Sequence, residues 1–182
     1  LYPQMVMPLF VGRDRSLAAV QAAMANNERI IVAAQRDPEQ LDPQPEDIYK
    51  IGTETAINRF LKMPDNSNSI LAQGRRRVQI LEFVQWDPCV RVRAQILPDE
   101  PGWDEETEPL MRAALNFYDK VVNLSQKLPE DALSFAINIE TPGWLADFIA
   151  STLDVPLHQR QEILNTTQIR NRLHKVSVLL AK

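Results

Sequence analysis

The residues with the types and spacing to do chemistry fall into a few groups, and each suggests a different reaction. The stretch from Met7 to Ser16, MPLFVGRDRS, carries an apolar run into Gly12 and then into Arg13, Asp14, Arg15 and Ser16. A glycine followed by charges at the start of a helix can cradle phosphate through backbone amides. The glycines, however, stand at 12, 52, 74, 102 and 143, too far apart for G-x-G, and neither a P-loop nor a dinucleotide fingerprint is present. Gly12 is therefore expected to let a strand turn into a helix, with Asp14 or Ser16 as the N-cap and Arg13 and Arg15 solvated. His158 and Glu162 share a helical face at i,i+4, but two groups do not hold a catalytic metal, and no H-E-x-x-H occurs. Cys89 is the only cysteine, which excludes an intrachain disulfide and a cysteine metal cluster. No G-x-S-x-G elbow and no Ser/His or Ser/Lys pairing stands out. The expectation is a chain with no catalytic residue, no cofactor-binding residue and no metal ligand.

Two charged clusters remain. Arg75, Arg76 and Arg77 follow Gly74 and could touch phosphates, which would suit an RNA-binding module. The nearest aromatic side chains are Phe83 and Trp86, too sparse for a stacking platform, and the net charge is −4. Nucleic acid is thus disfavoured as a partner. The segment from Asp99 to Pro109, DEPGWDEETEP, is rich in acids but lacks the EF-hand spacing, so it reads as a solvated linker into a helix. No apolar run approaches the roughly 20 residues that cross a bilayer, so no membrane partner is expected. The lone cysteine fits a reducing, cytoplasmic setting.

The elements that would position these groups change character along the chain. Up to about residue 100 the pattern is strand and turn, interrupted by one helix with Leu17, Val20 and Met24 on a face. RIIVAAQ (29–35) reads as a buried strand, and residues 48–63 as a longer one with Gly52 marking a bulge or bend. Pro64 to Ser69 is a cluster of turn formers, hence a hairpin loop. Val90, Val92, Ala94 and Ile96 alternate with Arg91, Arg93 and Gln95, as in a half-buried strand. Beyond the linker the period becomes helical. Leu110, Ala114, Phe117, Val121, Leu124 and Leu128 mark a long amphipathic helix, and Pro129-Glu130-Asp131 opens a shorter one. Thr141, Asp154 and Thr166 or Thr167 are placed as caps of three more. Ile169, Leu173, Val176 and Leu180 form a last stripe that runs to the final residues, so the sequence reads as a fragment.

The order PQMVMPLFVGRDRSLAAVQAAM, IIVAAQRDPE, PEDIYKIGTETAI and LKMPDNSNSILAQGRRRVQI, followed by PGWLADFIASTL and LHQRQEILNTTQIRNRLHKV, resembles the N-terminal region of the Lon family of ATP-dependent proteases. PDNSNS stands where a shorter P-D-G turn is usual in that family. The resemblance implies an α+β fold: a PUA-like β pseudobarrel lobe with one helix over residues 1–102, then a helical bundle lobe over 103–182. It implies a domain that recognises unfolded or damaged proteins and helps a homo-oligomer, usually a hexamer, deliver them to an ATPase. The ATPase, with its ATP and magnesium, and the Ser/Lys serine-protease dyad would lie in later domains. Recognition of unfolded chains needs exposed apolar surface. The candidates for substrate binding are Met5, Met7 and Pro8 near the first strand, and Leu61, Met63 and Pro64 beside the hairpin loop. A standalone PUA-like regulatory or RNA-binding module is the alternative.

Overall fold

A computed structural model describes residues 1–100, 105–125, 128–129 and 131–182. Among these the chain is α+β and divides into two compact units, Leu1–Leu97 and Pro98–Lys182. The expected boundary between residues 102 and 103 lies outside the described residues, as do Glu130 and residues 126–127 at the end of the expected long helix. No helix among the described residues is long and apolar enough to cross a membrane.

The first unit is a five-stranded antiparallel sheet with one α-helix. Its strands are β1 (Val6–Val11), β2 (Ile30–Val32), β3 (Ile51–Lys62), β4 (Asn68–Gln85) and β5 (Arg91–Ile96), and α1 (Asp14–Asn26) follows β1. β4 is the longest strand, running unbroken through Gly74 and the three arginines. β3 pairs along one edge of β4, from Ile51↔Gln79 to Lys62↔Asn68, and β2 adds to the far side of β3. β1 pairs with the first part of β4, from Val6↔Gln73 to Val11↔Asn68, and β5 with its second part, from Val78↔Ile96 to Gln85↔Arg91. Register shifts fall between Glu54 and Thr55 and between Ile57 and Arg59, not at the expected Gly52. The second shift inverts the alternation, so that Ile57 and Phe60 both pack on the core of Val11, Val20, Ile70 and Ala72. Gly74 is required by a close approach: a Cβ there would stand 2.3 Å from the carbonyl oxygen of Tyr2.

α1 starts differently from the expectation. Its N-cap is Arg13, whose side chain caps nothing, and Asp14 is already the first helical residue, where its charge suits the helix dipole. Gly12 has no left-handed φ. The helix ends on Asn27, which takes the left-handed conformation at φ 52° and donates its N–H back to Ala23. The buried face is Val20 and Ala23, with Leu17 packed beside them, while Met24 is exposed. Cys89 lies buried before β5.

The second unit contains α2 (Thr107–Leu124), α3 (Ala132–Ile137), α4 (Pro142–Thr152), α5 (Leu157–Leu164) and α6 (Ile169–Leu180). Leu173, Val176 and Leu180 are buried, with Ile169 half-buried, so the final stripe is consumed within this bundle. α4 is the apolar centre: Leu145, Ala146, Ile149 and Ala150 are fully buried. Phe148 on the same helix meets Tyr118 of α2 edge-on at 6.2 Å. Of the expected caps, Thr141 stands at the N-cap position of α4 and the others are displaced. The residues before α5 and α6 are Pro156 and Gln168, and none of the three makes a side-chain capping bond. The Thr166 hydroxyl donates instead to the carbonyl of Glu162, and that of Thr167 to the Glu100 carboxylate.

A buried cation organises this unit. The Arg172 side chain is 0% exposed and pairs with Asp99 and, at 3.2 Å, with Asp147. Its Nε donates to the carbonyl of Thr166 at 2.8 Å, and its fork reaches the carbonyls of Gly143 and Thr167 at 3.4 Å. Gly143 leaves the room for this: a Cβ there would stand 2.9 Å from an Asp99 carboxylate oxygen. Asp99 and Glu100, although exposed, are thus tied to the helical unit, while residues 101–104 of the expected linker lie outside the described residues. Glu100 also donates its N–H to the Thr167 carbonyl at 3.1 Å. Because desolvated charges are strongly destabilising once unpaired, Arg172→Met should lower the stability of the helical unit by about 3–5 kcal/mol. Adding Asp147→Leu should restore a large part of that loss. Urea unfolding followed by circular dichroism at 222 nm checks both outcomes.

Candidate functional site

The alternation of β1 builds the site. Leu9 and Val11 turn toward the core, so Val6, Pro8 and Phe10 stand on the opposite face of the sheet. The registers with β4 and β3 then set out rows across three strands. Phe10 lies beside Ser69 and Ser69 beside Leu61; Pro8 lies beside Leu71 and Leu71 beside Arg59. With neighbouring strands about 4.8 Å apart, this brings Val6, Pro8, Phe10, Leu71 and Leu61 onto one largely apolar face, with Ser69, Gln73 and Arg59 set among them. Phe10 is 72% exposed, Leu61 37% and Val6 and Pro8 are exposed as well, although side chains of this kind are usually hidden.

The hairpin after β3 extends the face at one end. Met63 is 43% exposed and Pro64 is exposed. The Met63 N–H donates to the carbonyl of Ser67 at 2.8 Å, and Asn66 takes the left-handed conformation at φ 64°. Asp65 accepts bonds from both the hydroxyl and the backbone N–H of Ser67, which hold its carboxyl below the usual range. The loop tip is therefore ordered by a charged Asx turn beside an apolar flank.

The six expected residues divide between surroundings. Pro8 and Leu61 share the outer face, with Met63 and Pro64 at its hairpin end. Met7 is 39% exposed but has the core-facing parity of Leu9, so it stands at the rim of the other face. Met5 is half-buried before the strand, its carbonyl accepting the N–H of Gly74 at 2.9 Å. Val6, Phe10 and Leu71 were missed. The period-2 pattern in VMPLFV was the available signal, but it does not say which face is core until α1 is seen to cover Leu9 and Val11.

The other groups of interest have structural partners. Arg15 is not solvated: it pairs with Asp42 at 2.8 Å and Asp87 at 2.6 Å and lies 5.4 Å from the Trp86 ring centre. Arg13 donates to the side chain of Gln35 and the carbonyl of Gln40. Glu162 is engaged by Lys175 at 2.8 Å, while His158 is exposed. The arginine run alternates across β4. Arg77 is buried, Arg76 forms a two-bond fork with Glu54, and Arg75 is exposed, so the three do not make a continuous cationic stripe.

The whole chain, residues 1–182, matches the family model described as the ATP-dependent protease La (LON) substrate-binding domain. The chain belongs to the Lon substrate-binding domain family. It is 38% identical over its full length to the Lon protease of Dictyoglomus thermophilum and 39% identical to Lon protease 2 of Herpetosiphon aurantiacus. Over 97% of its length it is 34% identical to Lon protease 1 of Bacillus subtilis. It spans 23%, 22% and 23% of those relatives, so it corresponds to less than a quarter of each. The fold matches the N-terminal domain of Mycobacterium avium complex Lon protease with a TM-score of 0.81 at 18% identity, covering 100% of this chain and 92% of that one. The Lon N-terminal domain protein from Xanthomonas campestris gives 0.68 at 18% identity, covering 98% and 91%.

In this Lon domain, Glu54 is a mostly covered carboxylate between Arg76 at 2.7 Å and Arg29 at 3.2 Å. The bond from Arg76, aided by both charges, holds its carboxyl below the ordinary 4.5. A carboxyl depressed on folding adds stability that is complete above its unfolded value and is lost as the pH falls through its folded one. Glu54→Gln should therefore lower the melting temperature at pH 7, and the gap from the parent should close as the pH falls through the depressed folded-state value. Melting curves at pH 3, 5 and 7 check this.

Proposed function

We propose that this domain collects unfolded or damaged polypeptides on the outer face of β1, β4 and β3 and presents them to an ATPase in the same protein. The observation that carries this reading is the exposed apolar row of Val6, Pro8, Phe10 and Leu61, extended by Met63 and Pro64, on a chain of a substrate-binding family. Unfolded chains differ from folded ones in exposing apolar segments, and a contiguous apolar face is the complement that selects them. Methionine at the margin, as at Met7 and Met63, adapts to varied side chains. The relatives are named Lon proteases, and the protein that contains this domain is read as an ATP-dependent Ser/Lys endopeptidase of the cytoplasm, assembled as a homo-oligomer, usually a hexamer. ATP and magnesium would serve its ATPase domain, with no cofactor held by these residues.

The face should tolerate polar substitution because it is not part of the core. Phe10→Ser combined with Leu61→Ser and Met63→Ser should weaken binding of a reduced, carboxymethylated model protein by about tenfold or more, since each buried apolar side chain is worth about 1.5–3 kcal/mol. Circular dichroism and the melting temperature should be unchanged. Equal affinity of the folded variant and the parent would overturn the reading.

A further inference from the structure

β1 has one edge paired with β4 and no strand on its other edge among the described residues. The pairing parity decides which backbone groups face that open edge. The N–H of Gly74 donates to the carbonyl of Met5, which puts Met5, Met7, Leu9 and Val11 in bonding positions toward β4. Val6, Pro8 and Phe10 therefore direct their backbone groups away from β4, toward the free side. These are the residues whose side chains form the exposed apolar row. Pro8 fits only this parity, because it has no N–H to give to β4. The open edge thus offers N–H and C=O at Val6, C=O alone at Pro8, and N–H and C=O at Phe10.

We propose that a client segment is held as an added antiparallel strand on this edge of β1. The inference rests on the client-binding reading above and specifies its mode. In the antiparallel pattern of the whole sheet, client residues opposite Val6, Pro8 and Phe10 bond through their own backbone and project side chains onto the same face. Alternate apolar residues then lie against Val6, Phe10 and the neighbouring Leu71, while the intervening ones are unrestricted. Main-chain bonding is independent of sequence, which suits a domain that must accept many clients. Unfolded chains have free backbone groups and folded clients do not. The missing donor at Pro8 weakens edge-to-edge pairing between copies while leaving two full bonding positions.

The test uses the peptide acetyl-Lys-Val-Thr-Val-Thr-Val-Lys-amide and two forms methylated on backbone nitrogen, one at the valines and one at the threonines. Antiparallel addition places the valine N–H groups on β1, so valine methylation should weaken binding by about tenfold or more and threonine methylation by less than about twofold. Val6→Pro removes one edge donor without touching a bond to β4, and it should weaken the unmethylated peptide by about fivefold with the melting temperature retained. Equal effects of the two methylations, or the reverse order, would overturn strand addition. If the triple-serine variant still loses denatured-protein binding in that case, the apolar face stands and only its mode is wrong. If the variant binds normally, the face itself is wrong. A dimeric free protein that Val6→Pro dissociates would assign the edge to a second copy and overturn the proposal.

Discussion

A strand has two hydrogen-bonding edges, and β4 must serve three partners. β3 occupies one edge over twelve residues, so β1 and β5 have to divide the other between them. That division explains why β4 is so long and why Gly74, near the point where the partners change, sits against the backbone of Tyr2. It also explains why β1 is a border strand with one side unpaired among the described residues. A sheet that wrapped β1 between two neighbours would bury its backbone and leave only side chains to meet a client. The exposed row on β1 and the register that aligns it with Leu71 and Leu61 are both consequences of how β4 is shared.

The helical unit solves its packing in another way. Its α4 is almost wholly apolar, yet Asp147 in the middle of that helix is buried against Arg172. A buried ion pair adds little net stability compared with apolar side chains of equal size, but it is exacting about geometry. The fork of Arg172 reaches carbonyls on two separate segments and a carboxylate from the residues before α2. It therefore fixes where α4, the α5–α6 corner and Asp99 meet. This ordering by charge replaces the side-chain caps that the helices lack.

The class of each half was readable because period-2 and period-3.6 patterns survive in short windows. The stripe of Leu173, Val176 and Leu180 and the alternation of Val92 and Ala94 are set by local burial, and local burial leaves a local signature. Of the expected caps, only the position of Thr141 was readable. Asp14, Asp154 and Thr167 are good cap residues by type, but each helix starts where tertiary contacts place it, and Thr167 is drawn off to Glu100. Gly52 has the type for a bulge or bend, yet the register shifts lie two to seven residues further on, because nothing in a single strand records where its neighbour slips. Of the candidate site, the apolar hairpin flank and Pro8 were visible. Phe10 was not, because an aromatic residue next to a core valine looks like core until the strand's parity is known. Arg172 was invisible for the same kind of reason: an arginine on an amphipathic helix is normally a solvated residue, and its two carboxylates stand 25 and 73 positions away.

The single cysteine of the chain has a use that its inertness suggests. Cys89 is buried in the first unit, with the side chain of Gln85 donating to its carbonyl. A buried thiol meets a reagent when the structure around it opens. Its labelling rate is therefore a built-in clock for local opening at the start of β5. Read with and without a bound client, that clock separates a surface that merely collects chains from one that loosens as it does so.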